Sequence, residues 1–249
     1  MRVAGLALVA VFALAACGSR GGTTMVEGSA PAWVTRTVEP RRRAVGPPPL
    51  LVLLHGIGAD ENDLLPLAAR LDPRFRVVSV RAPRPWLPGH AWFHIDFRSD
   101  GTIVPDVAGA RGALADLVGW VRAAPARYET DPERTYLLGF SQGAMMSLGV
   151  LRTAPEGLAG VVALSGRCPD GLFEARAAVA AIARVPLLVA HGTLDAVLAV
   201  DNGRRTRDAF AGVSADFTYR EYPIGHGISD AEVVFVAEWL AARLDRSRP

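Results

Sequence analysis

The sequence predicts an α/β protein with a single, mostly parallel sheet flanked by helices. Three observations carry that expectation. Apolar runs and helix-forming stretches alternate about six times along the chain without a break in composition. Runs such as Leu50–Leu54 and Leu158–Leu164 are continuously apolar, as strands covered on both faces are. One run, Tyr136–Phe140, ends in Gly139-Phe140-Ser141-Gln142-Gly143, a Gly-x-Ser-x-Gly turn followed by helix formers. With 249 residues, 50% hydrophobic and 21% charged, the chain buries one sizeable core and nothing demands a second.

The chain begins with Met1-Arg2, an apolar stretch from Val3 to Ala16, and the small-residue closure Leu14-Ala15-Ala16-Cys17. The apolar stretch is shorter than the roughly 20 residues a membrane-spanning helix needs. Residues 1–16 therefore resemble a bacterial lipoprotein signal, with Cys17 as the lipidated residue. A plain signal peptide or an uncleaved anchor is the alternative. Residues 17–32, rich in Gly, Ser and Thr, read as a tether, and residues 33–249 as the folded domain.

Within that domain, Trp33–Val38 reads as an edge strand and Arg41–Pro49 as a charged, proline-rich turn. The strand Leu50–Leu54 stops at His55-Gly56-Ile57-Gly58. A helix is expected over Glu61–Leu71 with Asp60 as its N-cap, then a strand over Phe75–Val80. Ala82–Pro105 shows no period and carries Trp86, Trp92, Phe93 and Phe97. Long irregular segments in compact domains tend to serve binding sites. Asp106–Arg127 has a helical pattern, with Val107, Leu114, Leu117, Val118 and Val121 near one face. Strand Arg134–Phe140 leads into the serine turn and a helix that Pro155 ends. Then follow strand Leu158–Leu164, helix Leu172–Ala183, strand Pro186–Ala190, helix Asn202–Phe210, strand Asp216–Glu221 and helix Ser229–Leu244.

The formal net charge of +2 and the lack of a basic stripe interleaved with aromatics exclude a nucleic-acid partner. Arg41-Arg42-Arg43 reads as a solvated loop. All 27 basic residues are arginine, which reads as coding bias. Two cysteines, Cys17 and Cys168, make neither a disulfide framework nor a metal site, so no metal is expected. With Cys17 lipidated, Cys168 is expected to stay a thiol and form no disulfide.

Serine is a poor nucleophile at its own pKa, so Ser141 needs a base and a group to orient that base. In the α/β-hydrolase order, Ser, then Asp or Glu, then His each follow a strand. His226, between Gly225 and Gly227 after the strand ending near Glu221, satisfies that order; His55, His90, His94 and His191 precede the position it demands. Asp195 follows the strand Pro186–Ala190 and is better placed than Asp170, Asp201, Asp216 or Glu221. A surface-loop histidine and a turn-capping aspartate are the plainer alternatives. The oxyanion of a tetrahedral intermediate needs two donors: the backbone N–H of Gln142, after the nucleophile, and an N–H from the earlier loop, for which Ile57 is the choice. His55 reads as a structural histidine bonding within its loop.

Leu54-His55-Gly56-Ile57-Gly58, Ala91-Trp92-Phe93, Gly139-Phe140-Ser141-Gln142-Gly143-Ala144, Ala163-Leu164-Ser165-Gly166, His191-Gly192-Thr193-Leu194-Asp195 and Gly225-His226 together resemble the phospholipase/carboxylesterase family, which includes the acyl-protein thioesterases. The resemblance runs from about Leu50 to the end. It implies an α/β-hydrolase domain and a cofactor-free serine esterase or thioesterase, with the triad Ser141, Asp195 and His226 and oxyanion donors Ile57 and Gln142. Ala196 and Ala199 stand where relatives often have proline, and the cytosolic relatives lack the N-terminal segment.

A lipid-anchored domain outside the cytoplasm meets diffusing or lipid esters, so oxygen esters with a short to medium acyl chain are the expected substrates. Trp86, Trp92 and Phe93 are expected to form part of the acyl wall, or else a packing cover over the sheet. Thioesterase, lysophospholipase, feruloyl-type esterase and peptidase chemistry are alternatives on the same scaffold. An inactive surface binding protein is the reading from another class. A monomer or a homodimer is expected.

Overall fold

Each of the five residues of strand Leu50–Leu54 is wholly buried, and they divide alternately between two apolar layers. Leu50, Val52 and Leu54 join one layer, Leu51 and Leu53 the other, because successive side chains of a strand point to opposite faces. This strand is therefore central. The molecule is described as a computed structural model over residues 33–42, 46–99, 103–168, 171–173 and 177–245. The signal-like residues 1–16, Cys17 and the tether 17–32 lie outside the described residues.

The strands are β1 (Thr35–Val38), β2 (Leu50–Leu54), β3 (Arg76–Val80), β4 (Arg84–Trp86), β5 (Gly89–Ala91), β6 (Ile95–Phe97), β7 (Ile103–Pro105), β8 (Thr135–Phe140), β9 (Leu158–Leu164), β10 (Leu187–Gly192) and β11 (Phe217–Tyr222). The helices are α1 (Val107–Arg127), α2 (Gln142–Thr153), α3 (Val179–Ala183), α4 (Asp201–Phe210) and α5 (Asp230–Asp245). Seven strands form one sheet in the order β1-β3-β2-β8-β9-β10-β11. All its pairs are parallel except the edge pair β1 with β3. Parallel neighbours need crossovers, and the helices that supply them cover both faces. Leu114, Leu117, Met146, Leu148, Ile182 and Phe210, from α1 to α4, pack on one face, while Val236, Trp239 and Leu240 of α5 pack on the other. Among the described residues no helix is long and apolar enough to cross a membrane.

Three expectations are corrected. In place of a helix over Glu61–Leu71 there is only a 3-10 helix, Leu65–Ala69, with Pro66 in its first turn. In a helix starting at Glu61, Pro66 would sit in the interior, lacking an N–H and clashing with the preceding turn. Asp60 caps a tight turn, its carboxylate accepting from Asn62 N at 2.8 Å, and Glu61 turns inward to a bidentate pair with Arg81. Among the described residues of the helix expected over Leu172–Ala183, only α3 is helical, and Leu172 and Phe173 instead plug the core, Phe173 lying against Gly149 of α2. The segment without a period, Ala82–Pro105, holds two small antiparallel ladders, β4 with β5 and β6 with β7. The remaining boundaries agree to within about two residues. The N-terminus of α5 carries a reciprocal cap: Glu232 N donates to Ser229 Oγ and Ser229 N to a Glu232 carboxylate oxygen.

Candidate active site

Ser141 stands between β8 and α2 with φ 53° and ψ −114°, a strained conformation for a residue with a Cβ. Such a backbone costs on the order of 1–3 kcal/mol and persists only where the surroundings impose it. Here the flanking glycines do. A Cβ on Gly139 would stand 2.3 Å from Gly143 O, and one on Gly143 would stand 2.0 Å from Leu54 O, so strand, turn and helix meet more closely than any other residue allows. The Ser141 amide donates to Leu164 O of β9 at 2.9 Å, which fixes the turn to the sheet.

His226 and Asp195 converge on this turn from two other loops. His226 Nε2 lies 2.9 Å from Ser141 Oγ, and His226 Nδ1 lies 2.7 Å from Asp195 Oδ2. A carboxylate only accepts, so the proton sits on Nδ1 and Nε2 is left to accept from the serine hydroxyl. Asp195 Oδ1 accepts from the amides of Val197 at 2.9 Å and Leu198 at 2.8 Å. Burial alone would raise the Asp195 pKa. The hydrogen bonds from His226, Leu198 and Val197 outweigh it and hold the carboxyl below its ordinary range. Ser141 and Asp195 are buried and His226 is partly exposed, so the chain of hydrogen bonds opens to solvent on the histidine side. A cavity of about 210 Å³ lined by Ile224–Ser229 lies at that opening. A second, of about 300 Å³, is lined by Arg111, Leu114, Val118 and Phe173 on the α1 side and includes none of the three.

The other carboxylates considered from sequence are engaged elsewhere. Asp201 and Glu221 pair with Arg204, and Asp216 pairs with Arg243, whereas Asp170 is outside the described residues. Ile57 lies in the turn after β2, whose Gly56 faces Ser141 so closely that a Cβ there would be 3.3 Å from the serine Cβ. Gln142 opens α2, so its amide is among the first of the helix, where N–H groups have no intrahelical acceptor. Gln142 thus follows the serine directly, and Ile57 follows Gly56, the residue that faces it.

The aromatic residues divide. Trp86 is half-buried, beside Gly58 of the same turn and in ring contact with His94. Trp92 and Phe93 are fully buried, the Trp92 ring lying against Trp33 and His55. Their rings are closed off inside the core, as in the packing reading set beside the acyl wall.

Two contributors were quoted in motifs of the sequence but given no role there. The Phe140 ring packs 5.0 Å from the His226 imidazole, and His191 Nε2 lies 2.7 Å from Leu198 O and 3.4 Å from Asp195 Oδ2. Residue type alone gave no reason to single out Phe140. His191 was read as the opening residue of the aspartate motif and as a histidine too early in the chain to be the base.

An open seven-stranded sheet with a serine bend, a later aspartate loop and a last histidine loop defines the α/β-hydrolase class. The chain belongs to the phospholipase/carboxylesterase family, which it matches over residues 36–244. It is similar to carboxylesterase SOBER1 of Arabidopsis thaliana, 31% identical over 121 residues that cover 47% of this chain and 52% of that protein. The chain spans about half the length of the plant carboxylesterases it matches in this way. It is also similar to acyl-protein thioesterase 1 of Mycosarcoma maydis, 28% identical over 83% of this chain and 95% of that one. Among solved structures, esterase PE8 superposes with a TM-score of 0.71 at 28% identity, covering 84% of this chain and 98% of that one. The Bacillus cereus carboxylesterase shares the fold with a TM-score of 0.72 at 22% identity, covering 85% and 94%.

Proposed function

We propose that the chain is a serine carboxylesterase that hydrolyses esters of short to medium acyl chains. The single observation that carries this reading is the unbroken relay from Ser141 Oγ through His226 to Asp195, with separations of 2.9 and 2.7 Å. His226 Nε2 takes the hydroxyl proton as Ser141 Oγ attacks the ester carbonyl, and the imidazolium formed is stabilised by the Asp195 carboxylate. The amides of Gln142 and Ile57 hold the oxyanion of the tetrahedral intermediate. Collapse breaks the ester C–O bond, His226 returns the proton to the leaving alkoxide, and the acyl group stays on Ser141. Water then repeats the sequence and releases the acid. Trp86 forms part of the acyl wall, a reading supported by its half-buried position beside Gly58.

The test is hydrolysis of p-nitrophenyl butyrate together with fluorophosphonate labelling of Ser141. Ser141→Ala should fold normally and lose turnover by about three or more orders of magnitude. Unchanged turnover in purified variant would sink the assignment. No labelling of the wild-type chain would favour an inactive binding protein.

Similarity to an acyl-protein thioesterase over most of the chain supports thioester hydrolysis as a second reading. The same relay serves either leaving group, and a panel pairing each oxygen ester with its thioester decides the preference. Lysophospholipid and feruloyl esters belong in the same panel.

The lipoprotein-type N-terminus supports a domain anchored through Cys17 to a membrane of the bacterial envelope, outside the cytoplasm. Cys17→Ser should move the protein from the membrane fraction to the soluble one, and continued retention would count against lipidation.

A further inference from the structure

The Gln142 side chain makes two buried hydrogen bonds that the catalytic scheme does not use. Its Oε1 accepts from Trp92 N at 2.7 Å and its Nε2 donates to Phe93 O at 2.8 Å, so one side chain pairs with the backbone of another segment as a neighbouring strand would. The residue is 5% exposed. An apolar side chain of the same length would fill this space without desolvating an amide, so both bonds must be met for glutamine to be tolerated there.

Trp92 carries the connection onward. Its indole Nε1 donates to His55 O at 2.9 Å, in the turn that leads to Ile57. His55 is itself fixed at both ring nitrogens: Nδ1 lies 2.7 Å from Gly56 O, and Nε2 accepts from Ala82 N at 3.0 Å. A carbonyl accepts and an amide donates, so the ring is a neutral tautomer protonated on Nδ1. Burial lowers the His55 pKa, in keeping with that neutral form. Beyond Ile57 the turn is tied to the same segment again, with Gly58 N donating to His90 O at 2.8 Å and His90 N donating to Ala59 O at 2.8 Å. The segment from Ala82 to Phe93 thus grips the turn before and after Ile57 and grips α2 through Gln142.

We propose that the Gln142 side chain, Trp92 and His55 act together as a positioning clamp that sets the distance between the two oxyanion amides, Gln142 N and Ile57 N. The proposal rests on the ester-hydrolase reading of Ser141 given above. The two donors lie on separate loops after separate strands, β2 and β8, so the sheet alone leaves their spacing to loop conformation. Stabilisation of a developing oxyanion depends on donors held in place before the charge forms. A fully satisfied buried network has the stiffness that this requires, and it joins the two loops by a route independent of the strands.

The clamp predicts a particular kinetic pattern. Gln142→Met keeps length and helix propensity and removes both backbone bonds. Trp92→Phe keeps an aromatic ring and, of the hydrogen bonds in the clamp, removes the one to His55 O. In each folded variant, kcat for p-nitrophenyl butyrate should fall about 10- to 100-fold while KM stays within about two-fold, since a displaced donor affects the transition state and not the bound ester. Affinity for butyl boronic acid, which forms a tetrahedral adduct on Ser141, should fall by the same factor as kcat. The double variant should lose less than the product of the two single losses, because both act through one linkage.

Folding is checked by circular dichroism and thermal unfolding, and Trp92→Phe carries the test if Gln142→Met does not fold. Folded variants that keep kcat and boronate affinity near wild type, or that change KM alone, would overturn the clamp and leave these bonds as packing. Absence of fluorophosphonate labelling in the wild-type chain would instead remove the esterase reading itself.

Discussion

Asp195 Oδ2 accepts from His226 Nδ1 at 2.7 Å, and the same oxygen lies 3.4 Å from Nε2 of a second histidine, His191. One carboxylate oxygen thus faces two imidazoles, one reaching toward Ser141 and the other bonded to Leu198 O within the acid's own loop. His191 therefore ties down the turn that presents the acid to the base.

Asp195→Asn should leave the fold intact and lower kcat by about three to four orders of magnitude. The amide can donate to His226 Nδ1 and so favour the tautomer that leaves a proton on Nε2, where the serine hydroxyl needs an acceptor. Ester turnover of the folded variant checks this. A loss below about ten-fold would remove Asp195 from the relay.

His191→Phe should destabilise the protein by about 1–3 kcal/mol, because Leu198 O loses its 2.7 Å donor inside the fold. It should also reduce kcat, by less than Asp195→Asn does, since the Val197 and Leu198 amides still hold the other carboxylate oxygen. Chemical denaturation and ester turnover of the same preparation separate the two effects.

Gly143→Ala places a methyl 2.0 Å from Leu54 O and 2.7 Å from His55 O, both backbone atoms. The start of α2 must then move away from the oxyanion loop. A loss of about 1–3 kcal/mol in stability is expected, with a fall in turnover. Gly112→Ala in α1, where nothing lies within 4 Å of the added methyl, should instead be neutral or stabilising by up to about 1 kcal/mol. The thermal unfolding midpoints of the pair make the comparison.

Glu232 is buried at the start of α5, its Oε1 without a hydrogen-bond partner, and burial pushes its pKa up from 4.5 to about 7. Between those values the folded protein binds a proton that the unfolded chain releases. The contribution is therefore fully present below about pH 4.5 and is lost as the pH rises through about 7. Glu232→Gln removes this dependence, so the variant should gain on wild type by on the order of 2 kcal/mol between about pH 5 and pH 8. Asp195, whose pKa is lowered, acts with the opposite sign at lower pH. Denaturation of both proteins across this range tests the prediction, and a constant difference would refute it.

Much of the framework was legible in the sequence. Leu50–Leu54 and Leu158–Leu164 are short, continuously apolar runs of strand length, as doubly covered strands are, and both strands have the bounds read from the sequence. Asp195 and His226 were found because each follows its own strand, so the order of elements fixes which end of the sheet they reach. The helix expected over Glu61–Leu71 was misread because helical spacing of apolar residues hid the effect of Pro66 and the inward turn of Glu61 toward Arg81. The roles of Trp92 and Phe93 stayed open in the sequence for a related reason: an aromatic side chain in an irregular segment serves equally well as cover or as lining, and its neighbours decide.

The sequence by itself determined that this chain holds an α/β fold with a mostly parallel sheet and carries a serine turn, an aspartate loop and a histidine loop in hydrolase order. Those properties follow from local chemistry: side-chain periodicity, glycine spacing and the alternation of strand with helix. Tertiary structure alone decided the separations of 2.9 and 2.7 Å in the relay, the ring of Phe140 against His226, the second histidine at Asp195 and the bonds that join Gln142 to Trp92 and His55. Each of these joins residues from distant parts of the chain. Their geometry is set by how helices and loops close over the sheet, and no pattern of neighbouring residues records it.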